Sequence, residues 1–274
     1  MLLTRLITTT ALALPAVIVC GIAVSATAAA ANSAELVELT ATPYRPTVSN
    51  PAALSAPGYF EFEFGVLSAK SGEARYRNSL PLLVKYAFTE NFGLLIGGEP
   101  HVSLSNHDGT KISGAGDTTL QLKFKHTLDE NSALGLEAGV KADTAKTGIG
   151  SGKTDYLFNG IYSLEMGAGD TSYAFDVNLG YTRFGVTDTS IESRHGISWA
   201  ASIGRSLAAE WNKWSVAFEL SGAARRNQRA ASQFMTALAY NVSKQVVLDG
   251  GVAFGLSKNA PDWAWMAGMT ILFK

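Results

Sequence analysis

The sequence predicts an all-β chain, a transmembrane antiparallel β-barrel of about twelve strands with both termini on the periplasmic side. Three observations carry this expectation. Apolar residues alternate with polar or small ones through segments of roughly 9–11 residues, the length a tilted membrane-spanning strand needs. The connections between the segments alternate short and long, as they do in outer-membrane barrels. The chain is 47% apolar and only 16% charged, with 27 glycines and a net charge of −1. A water-soluble chain carries about 25% charged residues.

The N-terminus sets the compartment. Arg5 precedes an apolar run from Leu6 to Val24 containing Pro15, and "SATAAAANSA" (Ser25–Ala34) offers small-x-small cleavage sites. Residues 1–31 are therefore expected to be a secretory signal peptide, cleaved within 28–34. Pro15 and the alanine-rich exit disfavour the rival reading, a transmembrane anchor. Cleavage removes Cys20, the single cysteine, so the mature chain has no disulfide, no Cys metal site and no thiol nucleophile. Residues 32–57 space Pro43, Pro46, Pro51 and Pro57 with small and polar residues, which makes the segment extended. Two readings of it stay open: a lead into the barrel, or a plug that enters the lumen from the periplasm.

Residues 58–274 are the expected barrel. In "YFEFEFGVL" (59–67) Phe60, Phe62 and Phe64 take one face, and Glu61 and Glu63 the other. Strands follow at 78–88 and 92–103. "TLQLKFKHTL" (119–128) sets Leu120, Leu122 and Phe124 against Gln121, Lys123 and Lys125. "ALGLEAGVKAD" (133–143) and "DYLFNGIYSLEM" (155–166) alternate likewise and form a hairpin, and "YAFDVNLGY" (173–181) repeats the pattern. The last five strands are expected at 194–206, 213–224, 231–240, 246–256 and 263–273. Short turns fall at 89–91, 129–132, 167–170, 208–213 and 241–245. Longer loops fall at 68–77, 104–115, 144–153, 185–193, 225–230 and 257–262.

Parity then assigns faces. Tyr86, Phe92, Tyr156, Tyr181, Trp199, Trp214, Tyr240, Trp263, Trp265 and Phe273 lie near strand ends, where membrane girdles belong. With the large apolar residues facing lipid, the lumen receives Glu61, Glu63, Lys85, Glu99, His101, Gln121, Lys123, Lys125, Glu137, Lys141, Asp155, Asn159, Glu165, Asp176, Asn178, Glu219 and Asp249. Acids predominate. Such a lining makes either a channel that selects solutes by sign and size or a set of ion pairs that fills a narrow barrel. About twelve strands lies between filled small barrels and open porins, so size decides neither.

One stretch points elsewhere. "KTGIGSGKTDY" (Lys146–Tyr156) contains "GSGKT", which resembles a phosphate-cradling loop, yet Thr147 occupies the position of the first required glycine. Period-two segments flank it instead of a strand and a helix, so it is expected to be an exposed loop tip whose glycines adopt positive φ. No nucleotide or nucleic-acid partner, cofactor or metal is expected; His101, His107 and His126 lack ligand spacing. His195 faces outward by parity, but the neighbouring strand ends (Tyr181, Arg183, Gly222, Ala224) offer no serine for a lipid hydrolase. Arg225, Arg226 and Arg229 form a basic cluster in an expected outer loop, suited to anionic lipopolysaccharide.

"RPTVSNPAALSAPGYFEFEFG" (45–65), "GAGDTTLQLKFKHTL" (114–128), "DTAKTGIGSGKTDYLFNGIYSLEMG" (143–167) and "DVNLGYTRFG" (176–185) together resemble a family of outer-membrane transporters named for the meta-pathway of phenol degradation. Gly114, Gly116 and Asp117 match its Gly-x-Gly-Asp strand. The chain departs from the family at Ala145–Gly148, where Pro-Thr-Gly is frequent, and Lys274 follows Phe273 where barrels commonly end on an aromatic read by the assembly machinery. The resemblance implies passive uptake of small, hydrophobic or aromatic molecules. Its expected partners are outer-membrane lipid and lipopolysaccharide, small solutes and the barrel-assembly machinery. A closed structural or adhesive barrel is the alternative, and a barrel lipid hydrolase a remote one.

Overall fold

The alternation closes into a wall without edges. The computed structural model describes residues 39–71, 75–167, 172–189 and 192–274; the expected signal peptide and residues 32–38 lie outside the described residues, as does most of the 167–170 turn. The strands are β1 (Phe60–Lys70), β2 (Tyr76–Ala87), β3 (Phe92–Ser105), β4 (Lys111–Gly114), β5 (Thr118–Thr127), β6 (Ser132–Ala142) and β7 (Asp155–Met166). They continue as β8 (Tyr173–Arg183), β9 (His195–Ser206), β10 (Trp214–Arg225), β11 (Ala231–Asn241), β12 (Val246–Gly255) and β13 (Trp263–Phe273).

Each strand pairs antiparallel with its sequence neighbours except β4 and β5, which both pair with β3, and β1 pairs with β13 from Phe60↔Phe273 to Lys70↔Trp263, which closes the barrel. β4 and β5 share one register on β3, Ser105 facing Lys111 and Phe92 facing Phe124. They form a single stave interrupted at 115–117, so the wall has twelve staves. Closure satisfies the backbone groups that an open sheet would present to hydrocarbon. The outer face carries Leu136, Leu179, Ile197, Phe218 and Phe254, all exposed.

Turn chemistry fits the short connections. Asp129 accepts hydrogen bonds from the Ser132 hydroxyl (2.7 Å) and the Asn131 amide (2.9 Å), and these hold its carboxyl below the usual range. Two loops differ from expectation. The 104–115 connection contains β4, because the chain doubles back along β3 at 106–110 and then continues in the same direction into β5. The 144–153 loop has the expected positive φ at Gly148 (88°) and Gly152 (67°), but it is not simply exposed. Ile149 is buried against Val102, Leu104 and Ile112, so the loop folds over the inner surface of β3 and β4.

A third difference concerns parity. β2 and β3 shift register between Leu80 and Leu82, where Pro81 faces the Glu99–Pro100 step. Prolines cannot donate to a ladder, and the extra residue in β3 is a bulge. Gly93 and Leu95 face inward below it, Val102 and Leu104 above it. His101, expected in the lumen, is consequently exposed on the outer face.

Candidate functional site

The barrel interior is polar. Among its most deeply buried side chains are Lys85, Lys123, Glu61, Glu63, Glu219 and Asn178, while the apolar clusters are small. What buries these groups is the segment 39–57, which enters at the short-turn end and makes a circuit of the wall.

Its start is fixed by the β11–β12 turn: the Ala41 amide donates to Lys244 O (2.8 Å) and Gln245 Nε2 donates to Leu39 O (3.1 Å). The Thr42 amide then donates to Glu61 (3.0 Å), and the Tyr44 and Arg45 amides to the two oxygens of Glu63 (2.8 and 3.1 Å). The Arg45 guanidinium pairs with Asp249 (3.3 Å). Across the lumen, the Ser49 amide donates to Glu219 (2.7 Å) and the Asn50 amide to Asn178 Oδ1 (3.0 Å). Lys123 Nζ donates to Pro51 O (2.6 Å), and the Ala52 amide to Ser163 Oγ (2.7 Å). The segment returns to the wall where the Gly58 amide donates to Ala87 O (2.9 Å).

The prolines account for this mode of binding. They keep the segment extended and out of any ladder, so its remaining N–H groups need acceptors, and inward carboxylates supply them. Charge-assisted hydrogen bonds of this kind are the stronger ones.

Ion pairs complete the layer. Lys85 bridges Glu61 (2.5 Å) and Glu63 and also donates to Thr42 O (2.5 Å). Lys123 pairs with Glu137 (3.0 Å), which accepts from Asn159 (2.9 Å). Tyr44 sits between these pairs. The Lys85 and Lys123 ammonium groups lie 3.7 and 4.1 Å from its ring centroid, and its hydroxyl donates to Ala53 O (2.7 Å). Burial, then the carboxylates of Glu137, Glu63 and Glu61, hold the phenol well above its ordinary pKa, so it keeps its proton.

A second polar layer lies toward the long loops. Arg77 forks onto Glu99 (2.8 and 2.5 Å), and Lys141 bridges Asp117 (3.0 Å) and Asp155 (2.9 Å). Asp117 also accepts from the Thr144 and Ala145 amides (3.2 and 3.0 Å), which anchors the inward loop. Arg225 turns inward over Phe184 (4.1 Å) and pairs with Glu192 (3.1 Å), leaving Arg226 and Arg229 exposed; the expected basic cluster is therefore split. A cavity of about 190 Å³ near Lys153, Phe184 and Arg225 opens at this end, and a crevice of about 230 Å³ beside Pro51 and Ala53 opens at the other.

Of the residues assigned to the lumen by parity, Glu61, Glu63, Lys85, Lys123, Glu137, Lys141, Asp155, Asn159, Asn178, Glu219 and Asp249 are buried. Glu99, Gln121, Lys125 and Asp176 are half-buried, and Glu165 is exposed at the short-turn mouth. Aromatics pack around the outside of the short-turn end: Phe60 with Tyr86 (4.8 Å), Phe88 with Phe92 (5.7 Å), Phe60 with Phe273 (6.2 Å) and Trp214 with Tyr240 (4.8 Å). Tyr156, Tyr181, Trp199, Trp263 and Trp265 lie toward the other end of their strands. The His195 ring engages the Tyr181 hydroxyl (2.5 Å) and not a serine.

Parity reasoning missed Tyr44, Arg45, Ser49 and Asn50, because a segment without periodicity has no face to assign. The excess of inward acids over inward lysines was the available signal, since buried carboxylates require donors. Arg77 could have been found directly, as it shares the parity of Lys85 on β2.

The chain is similar in fold to a crystallised outer membrane channel from Pseudomonas putida F1, at 16% identity and a TM-score of 0.62, covering 81% of this chain and 98% of that one. It is also similar to the NanC porin, at 10% identity and a TM-score of 0.54, covering 76% of this chain and 98% of that one. No curated protein matches the sequence significantly. The profile of the family described as "Putative MetA-pathway of phenol degradation" matches residues 60–273, nearly the whole barrel, and the chain belongs to that family.

Proposed function

We propose that the chain is a passive outer-membrane channel for small solutes, held shut at its short-turn end by residues 39–57. One observation carries the reading: from Thr42 to Ala52 the segment is held by wall side chains through hydrogen bonds and ion pairs, with no strand ladder of its own. A body bound this way to a polar lumen is separable from it. The family description supports a small aromatic or hydrophobic cargo.

In this reading the short turns and both termini of the barrel, Phe60 and Phe273, face the periplasm, residues 1–31 are removed on export, and the closing segment enters from the periplasmic side. Exposed Arg226 and Arg229 contact lipopolysaccharide, and the assembly machinery reads the β13 end at Phe273. A second reading, a closed structural barrel, is favoured by the inward loop at Ile149, which narrows the opposite end.

The test is single-channel conductance in a planar bilayer, comparing the mature chain with one lacking residues 32–57. Larger or more frequent steps after truncation support a channel with a removable closure. Silence in both, from protein with heat-shifted migration on a detergent gel, leaves the structural reading.

A further inference from the structure

We propose that the seat of Tyr44 is a binding site for small phenol-like solutes and that Tyr44 is its built-in competitor; this rests on the channel reading above. Tyr44 is buried, with two buried ammonium groups over its ring, at 3.7 and 4.1 Å from the centroid. A tyrosine side chain is phenol joined to a methylene. Groups that accept its ring and hydroxyl accept a free phenol by the same interactions: cations on the π face and a carbonyl at the hydroxyl.

The two ammonium groups of the seat have anchors other than Tyr44. Lys85 is held by Glu61, Glu63 and the Thr42 carbonyl, and Lys123 by Glu137 and the Pro51 carbonyl. With the ring gone, both ammonium groups keep those partners and still present charge to the space it leaves. Both ammonium groups already have oxygen partners, three for Lys85 and two for Lys123. An aromatic ring in the vacated space therefore adds a cation–π attraction that a saturated ring of equal size cannot, and the seat favours the aromatic one.

The seat lies one residue-layer behind an opening at the short-turn end, so entry requires the segment at Pro51–Ala53 to shift. The crevice of about 230 Å³ at the short-turn end is bounded by Pro51 and Ala53, and the Ala53 carbonyl is the acceptor that Tyr44 uses. Benzene fits an engineered cavity of roughly 150 Å³, so a single-ring solute is within the size of this crevice. Because Tyr44 is flanked by the anchors at Glu61 and Glu63, a solute that expels its ring also disturbs the hydrogen bonds holding the closing segment. Solute binding and loosening of the segment around Tyr44 are then linked, each favouring the other, while the Pro51 and Ala53 carbonyls stay in place to complete the seat.

The test compares phenol with cyclohexanol, which matches it in size and hydroxyl but has no π face. Calorimetry is run on the full mature chain in detergent, wild type and Tyr44→Ala, with folding checked by heat-shifted migration. Phenol is expected to bind Y44A roughly tenfold more tightly than it binds wild type, and roughly tenfold more tightly than cyclohexanol binds Y44A. Equal binding of the two probes, or equal binding by the two proteins, overturns the proposal. If Y44A does not fold, amide hydrogen exchange on wild type takes its place: phenol, and not cyclohexanol, should speed exchange at Tyr44, Arg45 and Ser49, and unchanged exchange overturns the proposal. Neither readout needs ion flow, so a silent bilayer sinks the channel reading while the seat is still tested.

Discussion

Lys123 meets, in one side chain, the difficulty of a charged lumen. It is fully buried (0% exposed), and its ammonium is shared among Glu137, the Pro51 carbonyl and the Tyr44 ring. Removing one member of such a pair leaves a charge without compensation, which costs about 3–5 kcal/mol, whereas replacing both by apolar groups costs far less. Glu137→Ala should therefore lower the urea midpoint of the vesicle-refolded protein markedly, and Lys123→Met combined with Glu137→Leu should recover part of the loss. A double variant no better than the single one would show that Glu137 acts mainly through Asn50 and Asn159. Both residues were legible as inward-facing from period two alone. Their partners Asn50 and Tyr44 were not, because nothing local marks an extended segment as belonging inside a barrel.

Two elements show how close approach and parity shape the interior. A Cβ built on Gly135 of β6 would lie 3.1 Å from the Cα of Ala52, so this glycine makes room for the closing segment against the wall. Gly135→Val should unseat the segment there, and proteolysis within residues 45–57 should accelerate while the barrel keeps its heat-shifted migration. At the other end, Ile149 pins the 143–154 loop to Val102, Leu104 and Ile112. Ile149→Asp places a charge in that contact, and trypsin should then cleave faster after Lys146 and Lys153; unchanged cleavage would mean that the Asp117 hydrogen bonds alone hold the loop. Neither element was readable in full. The β3 alternation looks continuous in sequence, yet the Pro81 and Pro100 step adds one residue and reverses its upper half. The Gly-rich loop was correctly expected to turn at positive φ, but the pocket that takes Ile149 exists only because of that reversal.

For the molecule as a whole, the lipid-facing belt supplies the remaining test. Leu179 lies midway along β8 and is 67% exposed, while Val242 lies in the short β11–β12 turn and is also exposed. Arg at the bilayer midplane costs about 2–4 kcal/mol, falling to about 0–1 near the interface. Leu179→Arg should thus lower the unfolding midpoint in lipid well beyond Val242→Arg. Equal effects would contradict the placement of β8 across the membrane. Composition, period and the rhythm of short and long connections determined this much from sequence alone: an antiparallel barrel with an apolar exterior and an acid-rich interior. Those features are local, since each residue's face follows from its neighbours two positions away. Tertiary structure alone decided what fills that interior. The circuit of residues 39–57 joins Arg45 to Asp249, Ser49 to Glu219 and Asn50 to Asn178. Contacts between groups 128–204 positions apart in sequence depend on closure of the wall, which no local pattern encodes.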